Sequence, residues 1–149
     1  MKETLLVYTI LLDSDLTTIS EYKDHLDELF LKNSDDDLLL ELEWSITDFN
    51  KSKMLIHDYF INHDINHDIF GSFLMQKLKP IYISYDTDIK AFEYRMLELW
   101  QKLPSKMMQK EPFWKMSYAG EPLTWGDINQ TRELYEEMLN FYCTDAQRN

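Results

Sequence analysis

Histidine and aspartate recur in the middle of this chain at a spacing that suits a metal ion. His63 and His67 stand four residues apart within Ile61-Asn-His-Asp-Ile-Asn-His-Asp-Ile69. On a continuous helix that spacing puts both imidazoles on one face, one turn apart, as in the HExxH arrangement that binds zinc. The residue after the first histidine is Asp64 rather than glutamate, and its shorter arm reaches less far toward a metal-bound water. Spacing assigns no third ligand. The same period of four aligns Ile61, Ile65 and Ile69 as an apolar stripe, so a polar helix face or a turn at Asn62 or Asn66 accounts for these residues without any metal.

His-Asp pairs occur at His57-Asp58, His63-Asp64 and His67-Asp68. In a helical frame this resembles the HD-type metal phosphohydrolases, which use a histidine, then a His-Asp pair, then a distant aspartate. The resemblance would give those roles to His25, His57, Asp58 and Asp127, holding a divalent cation that activates water. No cluster of lysine and arginine stands ready to hold a phosphate, and a chain of 149 residues leaves little length for a substrate pocket. Cys143 follows the last helical pattern with no histidine after it, a poor setting for a catalytic thiol. Gly71, Gly120 and Gly126 are the only glycines, which excludes a phosphate-binding loop and a dinucleotide fingerprint. The sequence therefore assigns no catalytic residue and no cofactor, and it reads as a binding protein rather than an enzyme.

Charge gives the stronger indication. The formal net charge is −12, and residues 1–49 hold 13 acidic against 3 basic side chains. Such a surface repels phosphate backbones, so direct nucleic-acid binding is not expected. It steers a basic protein partner toward the N-terminal third. Solubility alone is the competing explanation. Asp35, Asp36, Asp37, Glu41 and Glu43 are the carboxylates expected to meet a partner, although Asp35–Asp37 also fit the first turn of a helix capped by Ser34. No apolar run approaches the ~20 residues of a membrane span. The short apolar opening lacks a small-residue cleavage site and is not read as a signal peptide. With Cys143 as the only cysteine, a reducing cytoplasm is the expected compartment.

The elements that position these residues read as helices in a single domain over 1–149. Residues 4–12 fit a strand or a buried helix equally well. Thr18 and Glu21 have capping-box spacing, and Ile19, Tyr22, Leu26, Leu29 and Phe30 form the apolar face of the helix that follows. Thr47 and Asp48 start another helix. The pattern after Ile61 runs until Pro80, and Ile81–Tyr85 alternates like a strand, with residues 4–12 as its candidate partner. Asp86 or Thr87 caps a helix ending before Pro104, and Asp127 caps a last helix carrying an Arg132–Glu136 pair. The expectation is an all-α, compact bundle of about six helices with a minor two-stranded element. Between the last two helices, Glu111–Asp127 packs Phe113, Trp114, Met116, Tyr118, Leu123 and Trp125 among Pro112, Gly120, Pro122 and Gly126. So aromatic a connection must lie on a core or meet a partner, and Trp114 is its candidate anchor.

The C-terminal part carries a resemblance. Phe92-Glu-Tyr-Arg-Met-Leu-Glu-Leu-Trp-Gln-Lys-Leu-Pro104, then Glu111-Pro-Phe-Trp114, then Pro122-Leu-Thr-Trp-Gly-Asp-Ile-Asn-Gln-Thr-Arg-Glu-Leu-Tyr-Glu-Glu-Met138 resembles small acidic bacterial immunity proteins encoded beside polymorphic toxins. It implies a cytoplasmic protein that binds a toxin domain and blocks it, here a basic, nuclease-like one. It maps no functional residue.

Overall fold

The computed structural model of the chain describes residues 1–143, and all its regular elements there are helical. Eight α-helices occur in the order α1 (Lys2–Asp13), α2 (Ile19–Lys32), α3 (Asp37–Trp44), α4 (Phe49–Ile61), α5 (His67–Ser84), α6 (Ile89–Gln101), α7 (Lys115–Tyr118) and α8 (Ile128–Leu139). A 3-10 helix, Glu121–Trp125, lies between α7 and α8. The helices cluster into two compact units, Met1–Asn66 and a second beginning at His67.

The expected two-stranded element does not form among the described residues. Residues 4–12 belong to α1, where Leu5, Leu6, Val7, Ile10 and Leu11 are all buried. Burial on nearly every face removes the polar stripe that marks an amphipathic helix, so strand and helix could not be separated by period. Residues 81–84 continue α5 straight through Pro80. Pro80 is exposed, and Tyr82 beyond it packs edge-on to Phe92 at 5.1 Å and against Tyr135 at 6.2 Å. Those ring contacts offset the hydrogen bond that proline removes. The remaining excess over six helices comes from the aromatic connection, which folds into α7 and the 3-10 turn, and from the break at residues 62–66.

Caps set the helix starts. The Thr18 hydroxyl accepts from Glu21 N at 3.2 Å and fixes the start of α2, as the capping-box spacing requires. Asp36 rather than Ser34 caps α3, accepting from Leu39 N at 3.1 Å, and Asp48 caps α4 through Lys51 N at 3.2 Å. Asp88 caps α6 and Asp127 caps α8, through Ala91 N and Gln130 N. In the first unit α1 packs on α2 and α4, and α3 bridges α2 and α4 around Tyr22, Leu26, Leu39, Leu42 and Ile56. In the second, Phe92, Met96, Leu99, Phe113, Met116, Tyr135 and Met138 are fully buried. Phe113 lies 5.7 Å from the Phe70 ring, so the aromatic connection is partly core. Arg132 turns away from the expected Glu136 partner and takes Asp86 instead, donating to its carbonyl at 2.6 Å with the carboxylate at 3.5 Å.

Candidate binding groove on the first unit

The helix expected to carry both histidines is broken. α4 stops at Ile61 and α5 starts at His67, so His63 lies in the connection and His67 at the first turn of the next helix. Asn62 is the C-cap of α4, which is where the sequence allowed an interruption. His67 has structural partners in the second unit: the Tyr142 hydroxyl at 3.2 Å and the Phe113 ring at 5.4 Å. The HD-type roles also disperse. His25 bonds the Thr4 hydroxyl at 2.7 Å and leans on Tyr8, and Asp127 spends a carboxylate oxygen on the α8 cap. Among the described residues, no three histidine, cysteine, aspartate or glutamate side chains gather as a metal-ligand set.

What the fold does bring together is a set of carboxylates around a ring stack. Asp36, Asp37 and Glu41 from α3 line a groove of about 550 Å3 with Asp58 and Tyr59 from α4 and with His63. Leu38, Leu55 and Lys2 complete its lining. The Tyr59 and His63 rings stack at 3.9 Å and within 4° of parallel. His63 Nδ1 lies 2.8 Å from the Tyr59 carbonyl oxygen, which can only accept, so Nδ1 carries the proton. Lys2 Nζ sits 4.9 Å from the centre of the Tyr59 ring and 2.6 Å from Asp36 Oδ2. Burial opposes the charge on Lys2, but the hydrogen bond and the Coulomb attraction to Asp36 outweigh it and hold its pKa above the ordinary lysine value. Burial likewise opposes ionisation of Asp36, yet Lys2 and the Leu39 N–H pull its pKa below the usual carboxylate range.

The expected partner-facing carboxylates thus divide into four kinds. Asp37 and Glu41 are exposed and line the groove. Asp35 is exposed in the turn before α3, and Asp36 is committed to a helix cap and an ion pair. Glu43 faces inward, with Oε1 enclosed beside Asp27. Burial first, and then the neighbouring Asp27 carboxylate, push its pKa up to about 7. Glu43 is therefore a proton-sharing group between α2 and α3 rather than a fixed surface anion.

One residue was missed. Trp44 ends α3 and is 76% exposed, although Leu38, Leu39, Leu40 and Leu42 before it make the segment apolar on nearly every side. Asp37, Glu41 and Trp44 follow each other at intervals of four and three, which places them on one helical face, while Leu39 and Leu42 fill the other. The signal was that spacing: Trp44 falls in register with acids. Trp114, the expected anchor, belongs to the second unit, is 49% exposed and meets Tyr118 edge-on at 5.6 Å. A larger cleft there, about 820 Å3, is lined by Glu133, Glu136, Glu137, Lys115 and Phe141. Lys115 is tied to Glu111 at 3.1 Å. That cleft lies in the half of the chain with little net charge, and none of the residues marked by the sequence charge pattern lines it.

Comparison of the chain with protein-family models, with curated proteins and with solved structures gives no match. The groove and the helix that borders it are what a functional reading rests on.

Proposed function

We propose that this protein is a non-enzymatic, cytoplasmic binding protein of the bacterial immunity type, which neutralises a basic, nuclease-like toxin domain by occlusion. The single observation that carries the reading is the exposed Asp37–Glu41–Trp44 face of α3 beside the carboxylate-lined groove. An exposed tryptophan among acidic side chains combines the two parts of a tight electrostatic interface, an aromatic anchor and charges that steer the encounter. A nuclease-type toxin must present lysine and arginine where it holds a phosphate backbone. Carboxylates covering that groove would compete directly with the nucleic acid, and no chemistry is required of the binder. The resemblance of the C-terminal sequence words to immunity proteins points the same way. Trp114 offers a second anchor on the other unit.

The test is capture of bound protein from lysate of the native organism, at low and high salt, with wild type and with Asp37→Asn/Glu41→Gln/Trp44→Ala. Recovery of a basic toxin domain whose binding weakens with salt and is lost in the triple variant supports the proposal. Capture of a partner that is neither basic nor salt-sensitive would assign the protein to an adaptor role instead.

A further inference from the structure

We propose that the groove of the first unit is a subsite for one arginine side chain of a protein partner, its guanidinium laid on the outer face of His63. This rests on the acidic-face reading above and names the side chain that face selects. His63 stacks on the Tyr59 ring at 3.9 Å, while Lys2 Nζ lies 4.9 Å from the centre of the same ring. A stacked imidazole leaves no room for an ammonium on its own side, so Lys2 must occupy the opposite face. The chain thus already holds one cation against this stack, locked by Asp36 at 2.6 Å. The other end of the stack is the exposed His63 ring, held in plane by its bond to the Tyr59 carbonyl at 2.8 Å.

Asp37, Glu41 and Asp58 line the same groove and make no ion pair among the described residues. A cation entering there meets a flat ring and three unneutralised carboxylates. Arginine fits that pairing better than lysine. Its planar, weakly hydrated guanidinium stacks on a ring and still directs a fork of N–H groups at carboxylates, whereas an ammonium is a strongly hydrated point charge. An anionic ligand is repelled by the same side chains, and no three-ligand metal set exists among the described residues.

The experiment is an NMR titration of the full chain with hexa-arginine, hexa-lysine and hexa-citrulline peptides, following backbone amides and the His63 ring. The expected result is saturable binding of hexa-arginine with shifts at His63 and Tyr59, about threefold tighter than hexa-lysine, and none with the uncharged citrulline peptide. His63→Ala should erase the preference for arginine, and Glu41→Gln/Asp58→Asn should weaken both cationic peptides about fivefold. His63 and Asp58 are both exposed, so these variants keep the fold. Equal affinity for the two cationic peptides, unchanged by His63→Ala, overturns the arginine subsite and leaves the acidic face standing. Absence of saturable binding by either cationic peptide overturns both readings.

Discussion

Residues 1–66 hold 15 acidic against 5 basic side chains, while residues 67–149 hold 12 against 10. The two compact units of the described chain also differ in how they make a core. The first buries leucine, isoleucine and valine from α1 together with Tyr22, Leu26, Leu39, Leu42 and Ile56. The second interlocks rings: Phe92 lies 4.9 Å from Tyr135 and edge-on to it, and Phe113 meets Phe70 and His67. The first unit buries Glu3, Thr9, Ser14, Ser45 and Ser52 with that aliphatic core, and leaves one tryptophan among surface acids. The second places two exposed tryptophans, Trp114 and Trp125, on the segment that also supplies core. An aromatic residue is therefore weak evidence of a binding site in the second unit, where rings are structural material. In the first it is strong, because nothing in the packing of α3 needs Trp44.

The sharpest way to break this contrast is to remove a ring from the second core. Phe113→Ala should cost about 4 kcal/mol, read as a fall in the urea midpoint. A loss under about 1 kcal/mol would mean that the ring cluster is not what holds this unit. Next in size is Asp36→Ala, which removes the α3 cap and strands Lys2. It should cost about 2 kcal/mol, where Asp127→Ala, losing a cap alone, should cost about 1 kcal/mol.

The Asp27–Glu43 pair gives a pH signature to the first unit. A carboxyl whose pKa is raised from 4.5 to about 7 binds its proton more tightly in the folded than in the unfolded chain. Its contribution is thus present below pH 4.5 and is lost as pH climbs through about 7. Glu43→Gln should flatten that fall and, at pH 8, stabilise the protein by about 1 kcal/mol after solvent screening is allowed for. Urea midpoints across pH 4.5 to 8 for both proteins check this. Parallel curves would show that the carboxyl is not enclosed. The smallest expected change is Asp37→Asn/Glu41→Gln, whose stability should stay within about 0.5 kcal/mol of wild type while association with a basic partner slows and loses salt dependence.

The amphipathic helices were legible because one face of each meets water. α2 with its Thr18 cap, α6 with Phe92, Met96 and Leu99, and α8 with its Asp127 cap all show a clear period. α1 was not, because burial on all sides erases the period, and residues 81–84 were not, because proline normally ends a helix. The candidate groove was legible in its charges and illegible in its assembly. Asp37 and Glu41 could be picked from the acidic run, but Asp58 and His63 join them only because α3 packs on α4. Glu43 looked like its neighbours until packing turned it toward Asp27. Trp44 was hidden by the leucines around it.

The central claim is that the first unit's acidic face, not the second unit's aromatic segment, holds the partner. The most direct measurement compares two variants, Asp37→Asn/Glu41→Gln/Trp44→Ala and Trp114→Ala/Trp125→Ala, in quantitative capture of the same partner from native lysate. The account predicts that the first variant loses the partner, with wild-type binding falling as salt rises, while the second retains it. Loss in the second variant with full retention in the first would contradict it.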